Sequence, residues 1–293
     1  WVHRNRDHGG VHFINLRDRY GITQIVVDED GDSAVRAVAV DLRMEFCIAV
    51  EGVVRARPES MVNPDMDTGE IEISARSITV LSRCEPLPFM IDERSDARDD
   101  IRLKYRYLDL RTESMQRKIR LRHTVTQSVR EYLTKHGFIE IETPTMIKST
   151  PEGTRDFLIP SRLHPGSFYA MPQSPQLYKQ ILMVSGFDRY FQIAHCFRDE
   201  DARGDRQIEH TQIDLEMSFV GKDEVFSVVE GMFGHAFERA LGVRLPASFE
   251  RLSYHDAMNR FGTDKPDLRY DLELRDFEPY VAGSGFGGFE SVV

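Results

Sequence analysis

The chain has 293 residues, of which 41% are hydrophobic and 29% are charged, and its formal net charge is −10. This composition excludes a disordered chain and allows two domains with separate cores, while the negative charge argues against indiscriminate nucleic-acid binding. The sequence shows no apolar run of about 18 residues and no signal peptide, so no membrane span is predicted. Three widely separated cysteines predict a reducing compartment, the cytoplasm, and no structural zinc.

Residues 1–84 are predicted to form a small all-β domain. Four segments, VHFINL, ITQIVVD, EFCIAVEGVV and EIEISARSITVL, are rich in β-branched residues and are separated by turns. This pattern favours an OB-fold, whose strand face commonly binds single-stranded nucleic acid through aromatic and basic side chains. Phe13 shares a strand face with Asn15 and Arg17, so it is a candidate stacking residue, although a core position is the simpler alternative.

Residues 85–103 lose this periodicity and gain proline and charge, as a linker does. Beyond them, the helical stripe in MQRKIRLRHTVTQSVREYLTKHG ends at Gly137, and FIEIETP follows as a strand that Pro144 closes. Further elements are predicted as helices at 175–184 and 222–241 and as strands at 190–200 and 209–220. The second domain is therefore predicted as α+β, an antiparallel sheet flanked by helices.

The last two strands are predicted to form a hairpin, FRDEDARGDRQIEHTQIDLEMSF at 197–219, whose second limb alternates between polar and apolar residues. The first limb places Cys196, Arg198 and Glu200 on one side. In the second limb, the polar face carries His210, Gln212, Asp214, Glu216 and Ser218, and the apolar face carries Thr211, Ile213, Leu215, Met217 and Phe219. On this pattern alone, an ordinary hairpin with one face in water is the simpler interpretation.

Three segments taken together are similar to one family: TPTMIKSTPEGTRDF at 143–157, YAMPQSPQLYKQ at 169–180, and the hairpin. They resemble the class II aminoacyl-tRNA synthetases and, within them, the bacterial-type aspartyl-tRNA synthetases. FIEIETP resembles motif 1 of that class, and FRDE through RQIEH resembles motif 2. WVHRNRDHGG and IRLKYRYLDLR are also similar to this family, so the resemblance extends from Trp1 to the KPDLR at 265–269.

The resemblance implies a domain order that agrees with these patterns. Residues 1–84 would form an OB-fold anticodon-binding domain, 85–103 a hinge, and 104–269 a class II catalytic domain that carries motifs 1 and 2. Residues 270–293 would begin an insertion domain, and motif 3 would lie beyond this chain. Motif 1 of this class builds a two-fold interface, which implies a homodimer with Pro144 at the interface.

The implied reaction is the ATP-dependent activation of L-aspartate to aspartyl-adenylate, followed by transfer to the 3′ end of tRNA-Asp. Arg198 and Glu200 are the implied catalytic residues: Arg198 holds the α-phosphate and the substrate carboxylate together, and Glu200 lies near the adenine amino group. The implied ATP-binding residues are Arg198, Asp199, Glu200, Arg206, Gln207 and His210. Mg2+ would bridge the phosphates, through protein ligands that the sequence does not identify.

The implied aspartate-binding residues are Glu152, Ser174, Gln176, Lys179, Arg198 and Asp214. Lys179 would donate to the side-chain carboxylate of the substrate, whereas Glu152, Ser174, Gln176 and Asp214 would accept hydrogen bonds from its ammonium. Lys179 lies three residues after Gln176 on a predicted helix, so the two side chains share a face. Without the surrounding QSPQLYKQ, a surface lysine would be the simpler interpretation.

The resemblance also implies tRNA contacts in the first domain. Phe13 would stack on an anticodon base, and the other residues that read base edges or hold the backbone would be Arg4, Arg6, Gln24 and Glu70. His8 stands where members that charge only tRNA-Asp tend to carry leucine. Together with the small Ser60, it motivates the hypothesis that tRNA-Asn is charged as well.

Two departures from the family pattern carry expectations. His210 stands where this class usually has a phenylalanine under the adenine, which predicts weaker but intact ATP binding. The chain begins with Trp1 instead of Met and ends before motif 3, so we expect a piece of a longer ligase that is inactive by itself. The alternative is a truncated paralogue that binds tRNA or a protein partner and has no ligase activity.

Overall fold

The computed structural model describes residues 1–92, 95–150, 153–204, 206–281, 283 and 285–290. The chain divides into two compact units, the first covering Trp1–Arg120 and the second beginning at Leu121. The division falls inside a long helix, so the first unit extends past the predicted hinge. None of the described helices is long and apolar enough to cross a membrane.

The first unit is built on a five-stranded sheet in the order β1-β2-β3-β5-β4. Its strands are β1 (Val2–His8), β2 (Val11–Arg17), β3 (Ile22–Val27), β4 (Cys47–Ala56) and β5 (Ile71–Ser82). Neighbouring strands are antiparallel except β3 and β5, which run parallel. The Val2 amide donates to the Phe46 carbonyl at 2.9 Å, and the Glu45 amide donates to the Val2 carbonyl at 2.8 Å. These bonds join the two edges of the sheet, as in a closed barrel.

The barrel core is apolar and is covered at one side by α1 (Ser33–Asp41). Asp32 caps this helix by accepting a hydrogen bond from the Ala34 amide at 2.8 Å. Val35 and Ala39 of α1 are buried against the core strands. The helix was not predicted, and neither was β1.

Three helical segments follow the barrel: α2 (Asp99–Lys104), α3 (Arg106–Asp109) and α4 (Glu113–Lys135). A buried carboxylate links this region to the barrel. The side chain of Glu45 is 1% exposed and accepts hydrogen bonds from Arg17 at 2.7 and 2.8 Å and from Arg111 at 2.7 Å. One carboxylate therefore satisfies two arginines that are 94 residues apart in the chain, because Arg17 lies in β2 and Arg111 follows α3.

The second unit contains a three-stranded sheet in the order β10-β9-β6 and a separate pair, β7 and β8. The strands are β6 (Ile139–Glu140), β7 (Leu158–Pro160), β8 (Phe168–Ala170), β9 (Arg189–Phe197) and β10 (Glu209–Met217). The helices are α5 (Gln176–Val184), α6 (Lys222–Leu241), α7 (Tyr254–Phe261), α8 (Glu278–Val281) and α9 (Gly287–Glu290). The core between the sheet and the helices contains Val129, Leu133, Phe138, Phe191, Met232 and Ala236.

Helices α4 and α6 approach closely because α6 carries a glycine at the contact. A Cβ atom on Gly231 would lie 2.0 Å from the Tyr132 hydroxyl, so a side chain there would displace the tyrosine. Tyr132 also stacks on His136, with ring centroids 4.0 Å apart. Burial raises the pKa of the Tyr132 hydroxyl above its usual value.

Three predictions about the sheet of the second unit are corrected. FIEIETP contributes only the two-residue β6, which pairs parallel to β9, so the sheet is not wholly antiparallel. The strand predicted to end at Glu200 ends at Phe197. Phe219 does not lie on the apolar face: β10 ends at Met217, and Phe219 is 96% exposed at a φ of 58°.

The buried Glu45 yields a stability prediction. We expect Glu45→Gln to lower the free energy of unfolding of this chain by about 3 kcal/mol, because two arginines lose their charged partner in a site that excludes water. The matched control is Asp41→Asn, whose partner Arg83 is 65% exposed in an ion pair at the surface. That change should cost less than about 1 kcal/mol. Urea titration of both variants measures the difference, and equal losses would contradict the role given to Glu45.

Candidate active site

The hairpin of β9 and β10 separates polar from apolar side chains as predicted. Residues directly opposite each other on paired strands share a face. The opposed pairs of the polar face are Tyr190 with Glu216, Gln192 with Asp214, Ala194 with Gln212, and Cys196 with His210. On the other face, Ile193, Leu215 and Met217 pack against the core around Phe191. The polar face is not simply solvated, because Tyr190, Gln192, Cys196 and Asp214 are all buried.

Helix α5 places a lysine over this polar face. The Lys179 ammonium lies 2.9 Å from Oδ1 of Asp214 and 3.3 Å from an Oε atom of Glu216. The side chains of Lys179 and Asp214 are only 12% and 10% exposed. Burial by itself lowers the pKa of Lys179, but the hydrogen bond to Asp214 and the charges of both carboxylates outweigh it and raise the pKa above its usual value. Lys179 is therefore a buried, charged group and not a surface lysine.

A second polar contact lies beside this cluster. The Tyr190 hydroxyl donates to Oε1 of Gln192 at 2.9 Å, and the Thr143 hydroxyl donates to the same oxygen at 3.0 Å. Burial raises the pKa of Tyr190, and the negative charge of Asp214 adds to the rise. Tyr190 is thus neutral and close to the Lys179–Asp214 pair.

The predicted ATP-binding residues follow β9 and precede β10. Arg198 is half-buried, its amide donates to the Ile208 carbonyl at 2.8 Å, and its guanidinium pairs with no carboxylate in the described part of the chain. Glu200 is half-buried as well, whereas Asp199, Arg206 and Gln207 are exposed. His210 is half-buried opposite Cys196, so it belongs to the same polar face as Asp214.

The segment after the predicted Glu152 is anchored by a buried glutamine. Gln173 is 5% exposed; its side chain accepts from the Thr154 amide and hydroxyl at 3.1 and 2.8 Å and donates to the Thr154 carbonyl at 2.7 Å. The Asp199 amide donates to the Arg155 carbonyl at 3.1 Å, which ties this segment to the end of β9. Glu152 itself lies outside the described residues.

The two remaining aspartate-binding candidates lie at the start of α5. The Ser174 hydroxyl accepts a hydrogen bond from the Gln176 amide at 3.3 Å, and both residues are half-buried. Because Gln176 is the first residue of α5, it is one turn from Lys179 on the same helix. The structure therefore brings Ser174, Gln176, Lys179 and Asp214 into one region of the second unit.

The barrel of the first unit carries a separate candidate surface. Phe13 lies opposite Arg6 in the β1–β2 pair and is not part of the barrel core, and its ring centroid is 6.5 Å from that of His8. Arg4 lies on the same face of β1 as Arg6 and His8, by the alternation of the strand. Gln24 of β3 lies opposite Asn15 and donates to Glu72 at 3.0 Å. Aromatic, basic and amide side chains thus share one outer face.

Three further predicted residues, Ser60, Glu70 and Pro144, lie in turns or loops and not in the strands described above. Ser60 lies in a 3-10 turn at Glu59–Met61, and Glu70 immediately precedes β5. Pro144 is exposed in the segment after β6.

Four residues of the site were not singled out from the sequence: Gln173, Tyr190, Gln192 and Glu216. Glu216 was placed on the polar face but given no role, and Gln173 stands inside the quoted segment YAMPQSPQLYKQ. Extending the alternation of β9 back from Cys196 by twos would have reached Gln192 and Tyr190. The hydrogen bond between Thr143 and Gln192 could not be predicted from the sequence, because the two residues are far apart in the chain.

Comparison with known families defines the class of protein. Residues 98–281 match the family described as tRNA synthetases class II (D, K and N), and residues 1–81 match the family described as OB-fold nucleic acid binding domain. The chain therefore belongs to the class II tRNA synthetases. The predicted fold class, an OB-fold domain followed by a class II catalytic domain, and the resemblance on which it rested are confirmed.

Individual relatives of this chain share one name within the class. The chain is 61% identical over 293 residues to a protein of Treponema denticola named aspartate–tRNA(Asp/Asn) ligase. The alignment covers 100% of this chain and 50% of that protein. A protein of the same name from Aquifex aeolicus is 55% identical, with 100% of this chain and 49% of that protein covered. The chain thus spans about half the length of the curated relatives that it matches.

Solved structures agree with this assignment of the fold. A putative aspartyl-tRNA synthetase from Leishmania major Friedlin superposes with a TM-score of 0.73 at 27% identity, over 82% of this chain and 48% of that one. An asparaginyl-tRNA synthetase from Pyrococcus horikoshii, complexed with asparaginyl-adenylate, superposes with a TM-score of 0.72 over 83% and 54% of the two chains. At 24% identity, the second comparison supports the fold alone.

Proposed function

We propose that these residues are part of an aspartate–tRNA ligase, which activates L-aspartate with ATP and transfers it to tRNA-Asp. The observation that carries the proposal is the buried Lys179, held by Asp214 and Glu216 on the polar face of the hairpin. The name carried by relatives that are 61% and 55% identical to the whole of this chain supports the same reaction. The alternative, a paralogue that only binds tRNA or a partner, gives no reason for a buried lysine with two carboxylates.

The charges around Lys179 suit the two ends of an aspartate molecule. One lysine and two carboxylates leave one net negative charge, which favours the approach of an ammonium group. In the proposed complex, Asp214 accepts from the substrate ammonium, and Lys179 turns its remaining donors to the substrate side-chain carboxylate. Ser174 and Gln176 at the start of α5 supply further polar contacts, and we assign Glu152 to the ammonium as well.

For the activation step, we assign Arg198 to the α-phosphate and the reacting carboxylate. A half-buried guanidinium that pairs with no carboxylate of the described residues is available to neutralise both anions in the transition state. Glu200 is assigned to the adenine amino group, and Asp199, Arg206 and Gln207 to the rest of the nucleotide. His210 would stack under the adenine with less area than a phenylalanine provides, so we expect weaker ATP binding than in members with that residue.

Mg2+ is part of the proposal, since it neutralises charge on the phosphates of ATP. Among the described residues, no group of three or more His, Cys, Asp or Glu side chains could hold a metal ion. Mg2+ usually keeps several waters and binds one or two carboxylates together with substrate phosphates. We therefore expect ATP phosphates and water to supply most of its ligands.

The outer face of the barrel is the proposed anticodon site. Phe13 provides a stacking surface, Arg4 and Arg6 provide positive charge for the backbone, and Gln24 provides an amide for a base edge. Glu70 is proposed to read a base as well. His8, which contacts the Phe13 ring edge-on, and Ser60 are the proposed reasons why tRNA-Asn would also be a substrate.

The remaining proposals concern organisation. We propose the domain boundaries 1–84, 85–103, 104–269 and 270–293, a homodimer that places Pro144 at its interface, and a cytoplasmic location. The exposed position of Pro144 supports an interface there. Because the chain spans half the length of its relatives, we propose that the active enzyme is longer than these residues.

Lys179→Leu tests the amino-acid site. We expect it to lower aspartate-dependent pyrophosphate exchange by the complete protein on the order of 10⁴-fold, because Asp214, Glu216 and the substrate carboxylate lose their common partner. Lys135→Leu, at the exposed end of α4, is the matched control and should leave exchange unchanged. A loss below about tenfold for Lys179→Leu would refute the assigned role.

Phe13→Ala tests the anticodon site. Loss of a stacking platform costs about 1–3 kcal/mol, so the charging of tRNA should fall roughly tenfold to a hundredfold while pyrophosphate exchange is unchanged. Tyr20→Ala removes an exposed aromatic ring from the turn between β2 and β3 and serves as the control. Equal damage to charging and exchange would mean that Phe13 is structural.

His8 gives a prediction about tRNA choice. We expect the complete protein to charge purified tRNA-Asn as well as tRNA-Asp, and His8→Leu to lower charging of tRNA-Asn by about tenfold while tRNA-Asp charging is retained. Aminoacylation assays with each purified tRNA measure both quantities. No charging of tRNA-Asn by the unmodified protein would end the hypothesis.

A further inference from the structure

One oxygen of the Asp214 carboxylate accepts no hydrogen bond from the residues that the structure describes. Oδ1 of Asp214 accepts from Lys179 at 2.9 Å, but Oδ2 is buried, and no donor among the described residues reaches it. A buried carboxylate oxygen without a donor is unfavourable, and buried polar groups in folded proteins almost always have a partner. Oδ2 of Asp214 therefore needs a donor, and the ammonium group of the proposed amino-acid substrate would supply one.

A donor that could fill this vacancy stands on the neighbouring strand. Tyr190 is fully buried on β9, opposite Glu216, and is therefore the diagonal neighbour of Asp214 on the same face. Diagonal neighbours on paired strands lie within reach of an aromatic side chain. In addition to burial, the negative charge of Asp214 raises the Tyr190 pKa, which agrees with this proximity.

The hydroxyl proton of Tyr190 is nevertheless donated to Gln192 and not to Asp214. The hydroxyl donates to Oε1 of Gln192 at 2.9 Å, and the Thr143 hydroxyl donates to the same atom at 3.0 Å. An amide oxygen has two lone pairs, so these two donors use its full capacity and fix the orientation of the amide. A tyrosine has one hydroxyl proton, and while Gln192 holds it, that proton is unavailable to Asp214.

We infer that Gln192 is a positioning residue that draws the Tyr190 hydroxyl away from Asp214 and so keeps Oδ2 of Asp214 open for the ammonium group of the amino-acid substrate. This inference rests on the proposed function. Without the Gln192 acceptor, the Tyr190 side chain would shift its hydroxyl towards the carboxylate, because a hydrogen bond to a charged acceptor is stronger than one to a neutral acceptor. The substrate ammonium would then have to displace it.

Gln192→Met in the complete protein is the direct test, because methionine has a similar length and lacks the amide acceptor. We expect the aspartate KM in pyrophosphate exchange to rise about tenfold, the equivalent of one net hydrogen bond, while the ATP KM changes by less than about twofold. Thr143→Val is the matched control, since it removes the second donor and leaves the acceptor of Tyr190 in place. Its aspartate KM should stay within about twofold of the unmodified value.

The decisive variant combines Gln192→Met with Tyr190→Phe, which deletes the competing hydroxyl. We expect the double variant to return to within about threefold of the aspartate KM of Tyr190→Phe alone, which is a strong departure from additivity. A merely structural role of Gln192 predicts instead that the second change adds to the damage. If Gln192→Met does not fold, Gln192→Asn withdraws the acceptor by one methylene and is tested with the same partner change.

Failure of the proposed ligase function and failure of the role inferred for Gln192 would give different results. If the unmodified protein shows no aspartate-dependent exchange, the proposed function fails and the inference fails with it. If the unmodified protein is active but the Tyr190→Phe change gives no rescue, or if the KM values for aspartate and ATP rise together, the inference alone is overturned.

Discussion

The candidate site depends on one interaction, the ion pair between Lys179 and Asp214. A buried charge is tolerated only when a partner and hydrogen bonds compensate for the lost water. Here a helix supplies the lysine and a strand supplies the two carboxylates, so α5 and β10 must keep a fixed relation for the site to exist. The same requirement explains why the polar face of the hairpin is buried: its side chains bind one another in place of solvent.

The first unit uses a related arrangement for a different end. The Glu45 side chain is buried more deeply than that of Asp214, and both of its oxygens accept hydrogen bonds from arginines, Arg17 and Arg111. A buried carboxylate whose two oxygens both bind arginines acts as a structural tie. No donor among the described residues reaches Oδ2 of Asp214, and this difference agrees with the binding role proposed for it.

Much of this organisation could be predicted from local patterns. The alternation of β10 identified the two faces of the hairpin, and the predicted bounds of α6 match the observed Lys222–Leu241 because Gly221 and Gly242 flank its periodic stripe. β1 was missed because Arg4, Arg6 and Asp7 leave few apolar residues to count. The contact between Thr143 and Gln192 joins residues 49 positions apart, and no local rule predicts which distant side chains meet. The family resemblance supplied the expected roles of the site residues, but the ion pairs of Lys179 with Asp214 and Glu216 were seen only in the structure.

Lys179 and its two carboxylates, Asp214 and Glu216, are the groups proposed to select aspartate. The most direct measurement is the amino-acid dependence of pyrophosphate exchange by the complete protein, since the matched family covers D, K and N enzymes. We expect pyrophosphate exchange with L-aspartate and none above background with L-asparagine or L-lysine, because only aspartate brings a second carboxylate to Lys179. Exchange driven by L-asparagine or L-lysine in preference to L-aspartate would contradict this expectation.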